Sequence, residues 1–119
     1  MTIWETIQTK LEENGIKTFP PGLATGECKE NYVVLKESGS TQISNYSSER
    51  VYFDFILYVP KNKYNILSVF EDQVKAVLDE QLYPLLMPTG QNTPDFYDDD
   101  KKAHMRSFMY RINRRNKHL

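Results

Sequence analysis

The sequence predicts an α+β fold: one small domain in which a mostly antiparallel or mixed β-sheet packs against two α-helices. Three observations carry this. Ile3, Trp4, Ile7 and Leu11 recur at helical spacing near the start, and Ile66, Phe70, Val74, Val77 and Leu78 do so in the middle. Runs rich in β-branched and aromatic residues, "NYVVLKES", "RVYFDFILYVP" and "HMRSFMYRIN", read as strands. The order helix, strand, strand, long helix, short strand, strand then gives an α+β arrangement. At 119 residues the chain makes one domain with a single modest core.

The first helix opens on a capping box, in which Thr2 caps the helix and Glu5, three residues on, reaches back. Glu12 and Glu13 face solvent, and Asn14-Gly15 supplies a left-handed stop. Residues 16–19 read as a short extended piece. Pro20-Pro21-Gly22 follows as a rigid turn, with a small-residue loop to Gly26. Tyr32, Val33, Val34 and Leu35 are an unbroken strand run. The polar stretch after it, about 38–50, has no periodicity and reads as a flexible loop or a partner-ordered arm.

"RVYFDFILYVP" is apolar on both faces, Val51, Phe53, Phe55 and Leu57 against Tyr52, Ile56 and Tyr58, so a strand covered on both sides is expected. Asp54 interrupts the second face and needs a rim position or an arginine partner. Pro60 ends this strand and Asn62 is a candidate helix cap. Residues 64–83 read as one helix, with Leu82 one turn beyond its stripe; Pro84 breaks it, and Pro88 with Gly90 marks the exit. Phe96-Tyr97 reads as a short strand. Phe108, Tyr110 and Ile112 share one face of the last strand, which is expected to pair with Phe96-Tyr97 or with the central strand. Residues 114–119 are expected to fray.

Composition narrows the function classes. Cys28 is the single cysteine, so no intrachain disulfide forms and a reducing compartment suits the chain. An inert, buried thiol is the expected role, because His104 and His118 lie far off in sequence. No run approaches the length of a membrane-spanning helix, and the start is polar rather than an apolar signal core. The net charge of −1 hides a split. Residues 101–119 hold seven basic side chains and no acid, whereas the first 100 hold the other eight basic and all sixteen acidic ones. Such a division favours contacts between the two parts, within or between subunits.

Asp98, Asp99 and Asp100 are adjacent, so a strand would point them to opposite faces and a cation site would need a turn to curl them together. Solvated acids followed by Lys101 and Lys102 at a hairpin turn are the expected arrangement. Asp95 and Asp100-Lys101-Lys102 imitate a metal-nuclease signature, but four intervening residues are too few for two catalytic strand ends. Tyr110, Arg111, Arg114 and Arg115 offer phosphate contacts and stacking, which keeps a small nucleic-acid-binding protein using the basic C-terminal segment as the alternative. No helix-turn-helix, zinc spacing or glycine-rich phosphate loop accompanies them. No nucleophile elbow is present, so no enzyme, cofactor or metal is expected.

Taken in order, "TIWETIQTKL", "PPGLATGECKENYVVLKESG", "FILYVPKNKYNILSVFEDQVKAVL" and "PTGQNTPDFYDDDKKAHMRSFMYRI" resemble the tail-terminator, or tail-to-head joining, proteins of long-tailed bacteriophages and prophage elements, also called minor capsid proteins. The resemblance spans nearly the full chain. It implies an α+β subunit that assembles as a ring, usually a hexamer, on the end of the finished tail tube. Its partners would be other copies of itself, the tail-tube protein and a head-completion or connector protein, within the virion neck. DNA would pass through without specific binding, and no membrane, catalysis or cofactor is implied. In that setting Asp98, Asp99, Asp100, Lys101, Lys102, Arg106, Arg111, Arg114 and Arg115 are the candidate assembly contacts.

Overall fold

The computed structural model describes residues 2–43 and 48–115. Helix α1 (Ile3–Glu13) is followed by strands β1 (Thr18–Phe19), β2 (Tyr32–Ile43) and β3 (Ser48–Pro60). A 3-10 segment (Lys61–Ile66) leads into α2 (Leu67–Val77), which runs on as a wider π turn (Leu78–Leu82). Strands β4 (Met87–Asn92), β5 (Phe96–Asp98) and β6 (Ala103–Arg115) complete the chain. The sheet order is β1-β2-β3-β6-β4, with β5 also on β6. β1 pairs with β2 in parallel, and all other pairs are antiparallel. The fold is therefore α+β with a mostly antiparallel, six-stranded mixed sheet.

Local chemistry accounts for the ends of the elements. The Thr2 hydroxyl accepts from the Glu5 amide at 3.1 Å and the Glu5 carboxylate accepts from the Thr2 amide at 2.9 Å, closing the capping box. Trp4 anchors α1 to the sheet by donating Nε1–H to the Leu35 carbonyl at 2.6 Å. Asn62 does not cap a helix. The chain turns in 3-10 geometry after Pro60, with a non-helical Lys63, before α2 begins at Leu67. Pro60 stands at the cap of this turn, and no side chain there accepts from the first-turn amides.

The core lies between the helices and one sheet face. Val51, Phe53, Phe55, Leu57 and Val59 of β3 are at most 1% exposed, and Phe108, Tyr110 and Ile112 of β6 join them. Ile7, Leu11, Leu67, Phe70, Val74 and Leu78 cover them from the helix side. The opposite face of β3 is covered at one end only. There Tyr32, Val34, Tyr58 and Ala103 pack with Cys28 beneath the segment that precedes β2. Tyr32 stacks on Tyr58, with ring centroids 4.9 Å apart.

The polar stretch at 38–50 departs from the loop expectation. Residues 39–43 pair with 48–52, and Ser48, Glu49 and Arg50 pair in turn with Arg115, Arg114 and Asn113. These backbones therefore form a three-stranded ribbon that carries the sheet beyond the helices, consistent with a long axis of 50 Å against 26 and 25 Å. A bulge between Glu37 and Gly39 leads into it, and Gly39 takes φ +121°, which glycine tolerates without a Cβ clash. Residues 44–47 lie outside the described residues. So do 116–119 of the segment expected to fray, whereas the backbone of Arg114 and Arg115 belongs to β6. Pro88 and Gly90 sit within edge strand β4 rather than a turn; the register shift between Pro88 and Asn92 accommodates them.

Candidate assembly surface

The acidic run resolves into a turn. Asp98 Oδ1 accepts from the amides of Asp100 at 2.9 Å and Lys101 at 3.1 Å, and Lys102 takes φ 50° to bring the chain back into β6. Asp99 and Asp100 are exposed. Asp98→Ala should therefore cost about 1 kcal/mol in chemical denaturation, while Asp99→Ala and Asp100→Ala should each stay within about 0.5 kcal/mol. Equal effects from all three would contradict this division of roles.

Asp95 is held apart from that turn. The Arg106 Nε donates to Asp95 Oδ1 at 2.7 Å and its Nη2 to Oδ2 at 2.8 Å, a two-point grip. Arg106 Nη1 also donates to Glu71 Oε1 at 2.8 Å and to the Ser68 hydroxyl at 3.0 Å. Lys75 completes the set by pairing with Glu71 at 2.6 Å. Bonds from Arg106 and Tyr64 hold the Asp95 carboxyl below its usual range. For Glu71 burial pushes upward, but the bonds from Lys75 and Arg106 outweigh it and the net direction is down. Because β4 and β5 share one edge of β6, this network pins the irregular joint between them to α2.

Two more predicted contacts are engaged inside the chain. Lys101 Nζ donates to the Ala24 carbonyl at 2.7 Å and lies 6.0 Å from the centre of the Tyr58 ring. Arg111 donates to Asn113 Oδ1 at 3.0 Å but keeps a part-exposed position on the open sheet face. Lys102 is exposed. The side chains of Arg114 and Arg115 lie outside the described residues. Burial raises the Cys28 thiol above its ordinary value, and Cys28 Sγ donates to the Glu30 carbonyl at 3.2 Å. That leaves the thiol protonated and unreactive near neutrality. Among the described residues, no three His, Cys, Asp or Glu side chains stand together as metal ligands, and no helix is long and apolar enough to cross a membrane.

Folding turns the linear charge division into two faces. Residues of α1, α2 and the π turn include seven carboxylates against Lys10 and Lys75. On the other side, register aligns Lys36 with Asp54 and Asp54 with Met109, Tyr52 with Arg111, and Arg50 with Asn113. Paired residues share a face, so Lys36, Arg50 and Arg111 surround Tyr52, Asp54 and Met109 where the second small cluster ends. Asp54, expected at a rim or beside an arginine, is half-exposed on the open part of the face and accepts from the Ser38 hydroxyl at 2.5 Å, from the bulge. A Thr41 hydrogen bond at 3.4 Å, with smaller contributions from Arg50 and Arg111, draws the Tyr52 hydroxyl below its usual range. A groove of about 370 Å³ runs along this face, lined by Asp54, Asn92, Thr93, Ser107 and Met109.

Arginine positions were visible in the sequence; this face was not, because Lys36 and Arg111 meet only through the intervening β3. What the fold defines is a two-layer α+β domain with one sheet face half open. No protein-family model matches the chain, and no curated protein matches it.

Proposed function

We propose that this chain is a structural subunit that caps the completed tail tube of a long-tailed bacteriophage as a ring and forms the tail side of the head–tail junction. The observation that carries the reading is the ordered resemblance across nearly the whole chain. Its four segments fall on α1, on the path into β2, on the end of β3 through α2, and on β4 to β6. A ring closes through a heterologous contact, in which two different surfaces of one subunit complement each other. An acidic helix layer and a basic half-open sheet face are two such surfaces on one chain. Bound at the tube end, the ring stops polymerisation because it does not reproduce the surface that accepts the next tube subunit. It then offers its outer side to a head-completion or connector protein, and DNA passes through without specific binding. No catalysis or cofactor belongs to this role.

The test is tube length. Purified with the tail-tube protein of its own phage or prophage, the chain should give tubes of restricted length with extra density at one end in electron micrographs. Unrestricted tubes without that density would refute the proposal. The grouping of Lys36, Arg50 and Arg111 favours nucleic-acid binding as the second reading. Retention of the chain on duplex DNA at moderate salt, with no effect on tubes, would decide for it.

A further inference from the structure

The open half of the sheet face needs an occupant. Lys36, Arg50 and Arg111 frame the part-exposed Tyr52 and Met109, while the segment before β2 covers only the far end of the same face. The helix layer presents a matching surface. Val69, Asp72, Ala76 and Glu80 are all exposed and follow one another at helical spacing on the outside of α2 and its π turn. Val69, 56% exposed, is among the most exposed large apolar side chains described. Both surfaces carry apolar side chains with flanking charge of opposite sign, and Asp54, which lies beside Met109 on the sheet face, is tied to the Ser38 hydroxyl.

Sheet edges offer a poorer route to self-association. β4 carries Pro88 and Gly90 with a shifted register, and the outer edge of β2 carries a bulge flanked by Lys36 and Glu37. Proline, bulges and charges are the devices that blunt an edge against strand addition. A second copy therefore meets this chain through side chains rather than through a shared ladder.

We propose that the half-open sheet face of one copy docks onto the outer stripe of α2 in the next copy. Tyr52 and Met109 meet Val69 and Ala76, and Lys36 and Arg111 face Asp72 and Glu80. The contact is head to tail, so every copy uses one surface of each kind and a chain of contacts can close into a ring. Its charged flanks make it weaken with salt. The inference rests on the ring reading for its biological setting, but the contact itself is a property of the isolated chain.

Sedimentation velocity up to millimolar concentration, at low and high ionic strength, tests it. Wild type should self-associate, less so at high salt. Lys36→Glu/Arg111→Glu and Asp72→Lys/Glu80→Lys should each lower the association constant by roughly tenfold or more. Mixing the two variants should restore association beyond a two-chain species, because the intact α2 stripe of the first meets the intact sheet face of the second and the two charge-reversed surfaces are again of opposite sign. The substitutions at the exposed Asp72 and Glu80 carry the test alone if the sheet-face variant fails to fold. Monomeric wild type, or variants that associate as wild type does, would overturn the inference. So would duplex DNA binding lost with Lys36 and Arg111 while self-association stays intact. Failure here leaves tube capping to its length assay. Conversely, intact self-association with unrestricted tubes would overturn capping and leave this contact standing.

Discussion

Phe55→Ala is expected to lower the stability of the fold by about 3–5 kcal/mol, the largest effect of any single substitution considered. Phe55 is completely buried on the central strand. Its ring stacks on Phe108 with centroids 5.3 Å apart and meets Tyr110 edge-on at 5.6 Å. Truncation removes both contacts along with the buried area of the ring. The hole cannot close easily, because β3 is held in register by β2 on one side and β6 on the other. Phe55→Leu keeps more of the volume and should cost clearly less. Urea denaturation measures both, as a shifted midpoint at unchanged slope. An alanine cost below about 1 kcal/mol would mean that the strands collapse inward and that the site is not rigid.

Arg106→Met should cost about 2–3 kcal/mol, below the range for a fully buried pair because water screens part of the network. The Arg106 side chain is 18% exposed and its partners Glu71 and Asp95 are 16% and 29% exposed. Methionine keeps much of the stem but leaves Asp95 without its two-point partner. The pH dependence separates charge from packing. Arg106 holds the folded-state pKa of Asp95 below its unfolded value, and together with Lys75 it holds that of Glu71 down against burial. Depressed carboxyls contribute stability that is fully present above their unfolded pKa and lost as pH falls through the folded one. The gap between wild type and Arg106→Met should thus be widest near neutrality and narrow below about pH 4. Thermal midpoints across that range would show it; a constant gap would assign the loss to packing.

Legibility followed apolar contrast. Thr2 and Glu5 announced the first helix because their spacing is a local signal. Phe108, Tyr110 and Ile112 announced the inner face of β6 because burial selects every second residue. The ribbon at 39–43 and 48–50 is polar in sequence, so nothing in "GSTQI" or "SER" alternates. Residues 39–43 are strand by pairing with 48–52, and 48–50 are held in turn by β6, a partner remote in sequence. β4 was hidden differently, since Pro88 and Gly90 are turn signals that an edge strand tolerates. Arg106 stood among the candidate assembly contacts because it lies in the basic end. Its alternation with Phe108 and Tyr110 already placed it on the helix-facing side, where a charge has to find partners. That was the available signal for its inward turn.

The joining of β3 to β6 also governs how the chain reaches its native state. β2 and β3 are neighbours in sequence, whereas the β3–β6 ladder ties Pro60 to Ala103 and Ser48 to Arg115 around the whole helical excursion. Long closures of this kind are slow steps. The β2–β3 hairpin and α2 should therefore organise first, with β6 arriving late and bringing Arg106 to Glu71 and Asp95. Contacts made after the rate-limiting barrier act on escape from the native state rather than on entry into it. In stopped-flow measurements Arg106→Met should accelerate unfolding and leave the refolding rate nearly unchanged. The ionic clasp on the sheet edge would then set the lifetime of the folded subunit more than the speed of its formation.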